Sequence, residues 1–389
     1  MKHILLITTS FGKYKDSHTI RLDNMFSGLS GEYIITMCYP DVITNTYKDN
    51  GVNYISIKSN KRLRALDYSR KINKNLYLLL ANIIKRFSEF DSFYGTSKKI
   101  LNYFKKDESF KYDIIITASG SLESHRAGYL LSKMFNVPHV LDYGDPIFPL
   151  LKGKSQKKCY DIEYDIIKNA NHIIYTTNST LKQYDEYFKL KYKSSVIRYG
   201  YKLDDIELSK INIDVSLDFN KIKYISHIGT AFTNDRDLRP LISAVADINF
   251  GLILAGKRSK AFSKLAYDLN ITNFCDLDII DLESSIFIQK KSYINIIVGN
   301  KDGRQVPGKV FICIACRRPI LYIKQCDNND ESLDILKDYK NCVVVENNKQ
   351  SILFGIDKLS KMKQEPSSII TTYDTKTISL KLENILNEI

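Results

Sequence analysis

Short apolar runs alternate with longer amphipathic segments along the whole chain. Most of these runs are continuous and rich in β-branched residues, which is typical of strands buried on both faces of a parallel sheet. Strands are predicted at 3–9, 33–38, 52–57, 113–118, 138–142, 172–177, 195–199, 222–228, 250–255, 272–277, 293–298, 319–323 and 341–345. Helices are predicted between them, including a continuous helix over 67–87 and one that opens at Arg236. This alternation predicts an α/β protein with doubly wound parallel sheets.

A polar segment near 203–221 separates two complete strand–helix series. The chain has 389 residues and 44% hydrophobic content, which suffices for two cores. We predict two Rossmann-like domains, 1–205 and 206–372, followed by a C-terminal helix over 373–389 for which a return to the first domain is one option. The carboxyl ends of both sheets are expected to face a cleft between the domains, where such folds bind ligands.

Positive charge is concentrated in the first half of the chain. The net charge is +13, to which residues 1–205 contribute +11 and residues 206–389 only +2. Residues 58–86 alone contribute +8, and their cations are interleaved with leucine, isoleucine and tyrosine. The cations singled out in this stretch are Lys61, Arg62, Arg64, Arg70, Lys71 and Lys74.

A basic amphipathic stretch of this kind has three interpretations. It suits the anionic surface of a membrane, where each basic residue contributes about 1 kcal/mol. It also suits a solvated helix face whose apolar side belongs to the core. Nucleic acid would attract the same charge, but the chain has no recognised nucleic-acid-binding motif. We therefore favour membrane contact by the first domain and expect no nucleic-acid partner.

The sequence has no run that approaches 18 apolar residues, and its apolar start is too short for a signal peptide. We expect a cytoplasmic protein, peripheral at the inner face of the cytoplasmic membrane. The seven cysteines are expected to be free thiols, because their number is odd and no secretion signal precedes them. Cys313 and Cys316 have CxxC spacing, but their neighbours are apolar, which favours a helix packing face over a metal or redox site.

Two junctions between a strand and the next helix in the second half carry candidate anion-binding residues. At the first, Gly229 lets a ligand approach the backbone, Thr230 follows it, and Arg236 stands at the predicted helix start, where free N–H groups favour phosphate. At the second, Gly308 and Lys309 end a basic, glycine-containing loop. The plainer alternatives are a turn that binds nothing and a solvated loop.

A junction in the first half carries candidate proton-handling residues. His125 follows the strand at 113–118 and Asp145 follows the strand at 138–142. Both are at predicted element ends that should face the cleft, and either side chain can handle a proton. The plainer alternative is that Ser121 or Ser124 caps the helix and that 144–146 forms a turn.

Several of these segments together resemble one family of enzymes. The matching segments are 142–146 (DYGDP), 163–177, 198–201, 227–230 (HIGT), and 305–311 (QVPGKVF) with 319–321 (PIL), of which the last pair is the most specific. In this order they resemble bacterial glycosyltransferases of the GT-B fold, specifically the retaining, family-4-like enzymes of capsule and O-antigen assembly. The resemblance extends over nearly the whole chain.

This resemblance implies a retaining hexosyltransferase that moves a sugar from a nucleotide-diphosphate donor to a lipid-linked or surface-polysaccharide acceptor. It implies that the donor binds to the second domain and the acceptor to the first. Gly229, Thr230, Arg236, Gly308 and Lys309 would bind the donor diphosphate, with no cofactor and no metal. The nucleoside would lie near Phe274, Leu277 and Ile312, and His125 and Asp145 would be the catalytic residues.

Two positions depart from the pattern of that family. Retaining members often carry two glutamates at the donor site, the second of which contacts the donor ribose; the corresponding positions here are Arg304 and Ile312. Neither side chain is a carboxylate. Two alternatives therefore stay open: a degenerate GT-B protein that binds a nucleotide or a partner without turnover, and a GT-B sugar-nucleotide epimerase.

Overall fold

The computed structural model describes residues 1–12, 17–29, 31–87, 93–106, 110–118, 120–147, 154–202, 217–326 and 330–389. The chain divides into two compact units: Met1–Arg198 with Ile378–Ile389, and Tyr199–Thr377. Most of the polar segment that we predicted as the domain boundary, residues 203–216, lies outside the described residues.

The first unit contains a doubly wound sheet. Its described strands are β1 Lys2–Thr8, β2 Tyr33–Asp41, β3 Asn45–Asp49, β4 Val52–Lys58, β5 Ile114–Ala118, β6 His139–Tyr143, β7 His172–Tyr175 and β8 Ser194–Val196. They lie in the order β3-β4-β2-β1-β5-β6-β7-β8. Neighbours pair in parallel except for β3, which is antiparallel to β4. The central strands contain continuous apolar runs that are buried, Ile4–Ile7 in β1 and Ile114–Ile116 in β5, as the sequence pattern predicts.

Helices cover both faces of this sheet. They are α1 Ser17–Phe26, α2 Lys61–Ile72, α3 Lys74–Phe87, α4 Thr96–Phe104, α5 Leu122–Phe135, α6 Lys154–Lys168 and α7 Asn178–Phe188. The helix predicted over 67–87 is divided at Asn73, whose backbone is extended with φ −156°. The Asn73 side chain then accepts a hydrogen bond from the Asn75 N–H at 2.7 Å, so it caps the start of α3.

The second unit contains a parallel sheet. Its strands are β9 Tyr224–Ile228, β10 Gly251–Ala255, β11 Phe274–Leu277, β12 Ile294–Val298, β13 Ile320–Lys324 and β14 Cys342–Glu346, in the order β11-β10-β9-β12-β13-β14. Its helices are α8 Arg239–Val245, α9 Lys260–Asp268, α10 Leu282–Lys291, α11 Lys309–Ala315, α12 Glu331–Leu336, α13 Lys349–Lys361 and α14 Ile369–Thr372. The strand order reverses at β9, because β10 lies on one side of it and β12 on the other. The predicted α/β class with two doubly wound units is confirmed.

The last helix, α15 Thr375–Asn387, begins in the second unit and continues into the first. From Ile378 onwards its residues are part of the first unit, where Leu382 and Leu386 are fully buried in the core. The Lys2 ammonium donates a hydrogen bond to the Leu386 carbonyl at 3.0 Å. The C-terminal segment therefore completes the core of the first unit.

A buried ion pair connects two elements at the carboxyl edge of the first sheet. Arg21 of α1 and Asp142 of β6 lie 2.6 Å apart, and each side chain is at most 2% exposed. Arg21 also donates a hydrogen bond to the Arg198 carbonyl at 3.1 Å. Since a buried charge without its partner is strongly destabilising, this pair holds α1 against the end of β6.

We expect Asp142→Ala to lower the free energy of unfolding by about 3–5 kcal/mol, because it leaves the Arg21 guanidinium buried without its counterion. Urea unfolding followed by circular dichroism would measure the change. The matched control is Asp357→Ala, which removes an exposed ion pair to Lys361 with an N–O distance of 2.7 Å. That variant should lose less than about 0.5 kcal/mol. Equal losses in the two variants would contradict the assignment.

Candidate functional site

Two glycine turns meet at the carboxyl edge of the second sheet. Gly229 follows β9 with φ 136° and Gly256 follows β10 with φ 103°. A residue with a side chain would be strained at these backbone angles. A Cβ on Gly256 would lie 2.8 Å from the Gly229 carbonyl oxygen. The Gly229 N–H donates a hydrogen bond to the Ala255 carbonyl at 2.9 Å. The two backbones therefore pack directly against each other and leave the edge of β9 open to other groups.

Lys309 projects towards the first of these turns. It is the first residue of α11, and its ammonium lies 3.7 Å from the point that a Cβ on Gly229 would occupy. The ammonium is buried and has no hydrogen-bond partner among the described residues. Burial, and next the charge of Arg236, lower the pKa of Lys309 to about 7. A buried, unpartnered cation of this kind is suited to receive an anion.

Arg236 reaches the same place from the loop after β9. Its guanidinium donates hydrogen bonds to the Thr230 carbonyl at 3.4 Å and to the side-chain oxygen of Asn300. The predicted position at a helix start is wrong, because α8 begins three residues later at Arg239 and Arg236 has a left-handed backbone with φ 59°. The turn aims the side chain across the end of β9 to the loop after β12.

Two further residues at this edge were missed by the sequence analysis. His227, near the end of β9, is 1% exposed, and neither ring nitrogen has a described partner. Burial first, and then the charges of Lys309, Arg236 and Arg258, hold the pKa of His227 well below its usual range. Arg258 follows β10, forms an ion pair with Asp276 and donates a hydrogen bond to the Gly256 carbonyl at 2.8 Å. The sequence does contain a signal for Arg258, because this cation stands two residues after a glycine at the end of a predicted strand.

Lys309, Arg236 and Arg258 form what we call the cation cluster. Three carboxylates lie near it: Asp235 is 3.9 Å from Arg236, Asp276 pairs with Arg258, and the charge of Asp278 also acts on Arg258. The buried ammonium of Lys309 has no hydrogen-bond partner among the described residues. The cation cluster therefore contains a cation without a direct partner in a place shielded from water, where an anion with several oxygen atoms would bind strongly.

A cavity of about 660 Å³ opens beside the cation cluster, at the carboxyl ends of β10 and β11. Its lining includes Lys257, Arg258, Lys260, Asp276 and Asp278. Because Arg258 belongs to both, a ligand with an anionic group on the cluster has room to extend into the cavity. The lining offers both carboxylates and cations.

The residues predicted for a nucleoside do not line this cavity. Phe274 stands at the amino end of β11, the opposite edge of the sheet, and its ring contacts that of Tyr267. The Leu277 side chain is buried in the core, and only its carbonyl oxygen turns to the site, where it accepts a hydrogen bond from Arg258. Ile312 is half-buried on α11. The cavity lies at the carboxyl end of the same strand, but the predicted side chains do not line it.

His125 is not at the ligand-facing edge that we predicted for it. It is fully buried, and its Nδ1 lies 2.7 Å from the Thr117 hydroxyl, which also contacts His139 at 2.9 Å. Burial, and next the charge of His139, hold the pKa of His125 well below its usual range. Since α5 already begins at Leu122, His125 falls on the helix face that packs against the sheet. The predicted catalytic placement of His125 is therefore wrong.

Asp145 lies at the carboxyl edge of the first sheet, directly after β6 and its glycine. Its side chain is 54% exposed and lies 3.2 Å from Nε2 of His18 on α1. The His18 ring packs against Gly144, where a Cβ would lie 2.2 Å from the ring. The sequence analysis missed His18, although a histidine in the first turn after the first strand is a usable signal. The pair can bind a hydroxyl group and accept its proton.

The remaining candidate residues are distributed as follows. Gly308 precedes α11 and Thr230 is exposed beside the cation cluster. Arg304 is exposed and pairs with Asp302 at 3.6 Å. Cys313 and Cys316 are buried on α11, where burial raises the pKa of the Cys316 thiol to about 12. Within the part of the chain that the structure describes, no three His, Cys, Asp or Glu side chains gather as a metal site would require.

The basic stretch of the first unit is the surface of α2 and α3. On α2, Lys61, Arg62 and Lys71 are exposed and Arg64 is half-buried. The side chains of Arg70 and Lys74 lie outside the described residues. Several large apolar side chains of this surface are also exposed, namely Tyr68, Ile72, Leu76, Leu78, Leu79 and Ile83. None of the described helices is both long and apolar enough to cross a bilayer.

The chain resembles known proteins in structure but not in sequence. No protein-family model and no curated protein sequence matches the chain. Sucrose-phosphate synthase from Thermosynechococcus elongatus is 13% identical, with a TM-score of 0.65 over 100% of this chain and 99% of that chain. The Anabaena protein HepE, in complex with UDP, is 12% identical, with a TM-score of 0.64 over 100% of both chains.

A third structure is the UDP-forming trehalose-phosphate synthase from Burkholderia xenovorans, in complex with glucose-6-phosphate. It is 8% identical, with a TM-score of 0.67 over 98% of this chain and 99% of that chain. These structures have the GT-B fold, and the likeness spans both units. The GT-B fold that the sequence resemblance implied is therefore confirmed.

We expect Lys309→Met to raise the free energy of unfolding at pH 7. The folded protein releases the Lys309 proton near pH 7, whereas the unfolded chain keeps it up to the ordinary value of 10.5. The unfolded state therefore binds more protons between these values, and Lys309 lowers stability most at and below pH 7. The gain in the methionine variant should be on the order of a few kcal/mol and should shrink as the pH rises towards 10.

Thermal unfolding at pH 7 and pH 9.5 would measure this effect. Lys301→Met is the matched control, because Lys301 is exposed in the loop that leads to α11. Its unfolding temperature should stay within a degree or two of the wild type at both values, roughly as for other surface substitutions. A loss of stability in Lys309→Met at pH 7 would mean that the ammonium has a stabilising partner.

Proposed function

We propose that this protein is a glycosyltransferase that uses a nucleotide-diphosphate sugar as donor and binds the donor diphosphate at the cation cluster. The observation that carries the proposal is the buried, unpartnered ammonium of Lys309 beside Arg236 and His227. Structures of HepE with UDP and with UDP-glucose support the donor class, because that protein shares the fold. The cavity beside Arg258 offers room for the nucleoside.

The chemistry follows from the charge that develops in the reaction. When the glycosidic bond to the donor breaks, negative charge accumulates on the leaving nucleoside diphosphate. Arg236 and Arg258 are held by backbone carbonyls before the ligand arrives, so they stabilise that charge without reorganisation, and the buried ammonium of Lys309 adds to it. Because fixed protein cations supply this stabilisation, the proposed reaction needs no metal and no cofactor.

Recognition of the nucleoside would rely on carboxylates in the cavity. Asp276 and Asp278 line it, and carboxylate oxygens accept hydrogen bonds from ribose hydroxyls or from N–H groups of a base. The family position that supplies a ribose-binding glutamate is Ile312, which has no acceptor. We therefore assign the ribose or base contact to Asp276 or Asp278.

The acceptor would bind to the first unit, near Asp145 and His18. Their side chains lie 3.2 Å apart at the carboxyl edge of the sheet, where folds of this kind bind ligands. In line with the sequence resemblance, we propose a retaining transfer to a lipid-linked or surface-polysaccharide acceptor. The trehalose-phosphate synthase structure contains glucose-6-phosphate, so a sugar phosphate is the acceptor to test beside it.

The second candidate is a protein that binds a nucleotide but does not catalyse transfer. Arg304 and Ile312 replace the two carboxylates that retaining relatives often carry, which favours a protein that binds a nucleotide without turnover. An epimerase has less support, because His125 is buried away from any ligand.

A screen of UDP-, GDP-, CMP- and dTDP-linked sugars, with product detection on a lipid-linked acceptor and on glucose-6-phosphate, separates these functions. Thermal stabilisation by a nucleotide without any product would favour the inactive binder. Absence of both stabilisation and product would overturn the donor site itself.

We expect Lys309→Ala and Arg236→Ala each to weaken donor binding or turnover by roughly 10- to 100-fold, because each removes a charge-assisted contact to phosphate. Initial rates at varied donor concentration would measure the loss. Lys301→Ala, which removes an exposed cation from the neighbouring loop, should leave donor kinetics unchanged. Unchanged kinetics in Lys309→Ala would exclude the amine from the donor site.

We further propose that α2 and α3 hold the protein on the inner face of the cytoplasmic membrane. Exposed cations and exposed apolar side chains share this surface, as in helices that lie in a membrane interface. Positive charge is dense here: burial, and next Arg64 and Lys58, lower the pKa of Lys99. Anionic lipid would relieve that repulsion, while Leu78 and Leu79 would contact acyl chains.

We expect the triple substitution Lys61→Ala, Arg62→Ala and Arg64→Ala to weaken binding to phosphatidylglycerol-containing vesicles by roughly a hundredfold, at about 1 kcal/mol per cation. Vesicle co-sedimentation at low and high salt would measure it, because the electrostatic share falls with ionic strength. The matched control neutralises three exposed cations of the second unit, Lys337, Lys358 and Lys361, and should bind normally. Equal binding by all three proteins would move the docking surface elsewhere.

A further inference from the structure

Lys309 is faced by groups that act on its charge in both directions: burial and Arg236 disfavour the ammonium, whereas Cys313 and Asp235 favour it more weakly. From β9 it is faced by His227, and from the loop after β9 by Arg236 and Asp235. On its own helix, Cys313 lies one turn further on. The single carboxylate in this set, Asp235, lies 3.9 Å from Arg236 and so is already shared with that guanidinium.

Two more groups complete these surroundings. Arg258, from the loop after β10, adds positive charge on the far side of His227. Tyr199 packs near Gly308, and its ring stacks on that of Phe311 at 6.2 Å. A neutral tyrosine adds no charge, so burial and the guanidinium of Arg236 remain the two largest effects on the amine.

Elementary electrostatics then sets the two states of the site. In the absence of a ligand, the buried amine has no acceptor for its protons and is repelled by a guanidinium, so the neutral form is favoured. An anion on the cation cluster reverses both effects, because it supplies an acceptor and an opposite charge. The pKa of about 7 in the empty site agrees with this picture.

We propose that Lys309 couples donor binding to proton uptake: the nucleotide-diphosphate sugar binds together with one proton from solution, which converts the Lys309 amine to an ammonium. No bond of the donor changes in this step, and the proton comes from water or buffer. The inference rests on the proposed function, since it requires the diphosphate at this site. It makes Lys309 a proton-linked positioning residue as well as a binding residue.

The pH dependence follows with a definite sign. Below pH 7 the amine is already protonated in the empty site, so binding takes up almost no proton and affinity is highest. As the pH rises above 7, more of the empty protein must gain a proton on binding. Apparent affinity should therefore fall about tenfold between pH 6 and pH 8, while uptake rises from about 0.1 to about 0.9 proton.

Isothermal titration calorimetry in buffers with different ionisation enthalpies counts the protons directly. The probe is UDP-glucose, with GDP-mannose as the second probe if UDP-glucose does not bind. A nucleotide sugar is chosen because it lacks a terminal phosphate, whose own proton would titrate near pH 6. Full-length protein is titrated at pH 6, 7 and 8.

The variants identify the group that takes up the proton. Lys309→Arg keeps a cation that stays protonated throughout this range, so it should bind the probe with no uptake and no pH dependence from 6 to 8. Lys309→Met should bind more weakly, also without uptake. Lys301→Arg is the matched control and should show the same uptake as the wild type. Circular dichroism checks that each variant is folded.

The possible results separate the inference from the function on which it rests. Probe binding with uptake that Lys309→Arg abolishes supports the proposal. Probe binding by the wild type without uptake at pH 8 overturns the proposal and leaves the donor site standing. Uptake that persists in Lys309→Arg assigns the proton to another group, His227 first, and also overturns it. No binding of either probe removes the proposed donor site together with the inference.

Discussion

The second unit is organised around three cations at the carboxyl edge of its sheet, one of which, the buried Lys309 ammonium, has no hydrogen-bond partner among the described residues. Lys309, Arg236 and Arg258 come from three separate segments, after β12, β9 and β10, and converge because the strand order reverses at β9. The two glycine turns make that convergence possible, since a Cβ on Gly256 would collide with the backbone of Gly229. A site of this kind is costly to fold when empty, because a buried ammonium and a buried guanidinium repel each other. Such a loss of folding stability is common at binding sites, whose residues are chosen for function and not for the greatest stability.

The sequence predicted the architecture because the architecture depends on patterns that repeat many times. Thirteen apolar runs were predicted as strands, and the doubly wound sheets that follow from them are present in both units. The errors lie where one residue decides the outcome. Asn73 ends α2 and caps α3, which divides a helix whose amphipathic period runs through the break. The edge strand β3 is polar and wholly exposed, so it has no hydrophobic signal.

The sequence predicted those residues of the candidate site whose chemical type and position after a strand both indicate ligand binding. Gly229, Lys309 and Arg236 were found because glycines and cations are concentrated in the loops that follow predicted strands. His227 was missed because a histidine inside a β-branched run looks like a strand residue, and only the fold shows that three cations surround it. His125 was misplaced for the converse reason: it follows a strand and stands in the first turn of a helix, and only the fold shows that its ring turns into the core, where Thr117 accepts or donates its hydrogen bond.

The departures at Arg304 and Ile312 weigh less against activity than the sequence alone suggests. A glutamate at position 312 would act on the ribose, so its loss affects recognition of the nucleoside and not the stabilisation of the leaving diphosphate. Carboxylates that can accept hydrogen bonds line the cavity instead, at Asp276 and Asp278. The groups that would stabilise developing charge, Lys309 and the two arginines, are all present, and both arginines are held by backbone carbonyls. A protein that no longer bound an anion would have no reason to retain an unpartnered buried ammonium, since a methionine of similar size would fill the space at lower free energy. The unpartnered charge is therefore an argument for continued binding of an anion at this site.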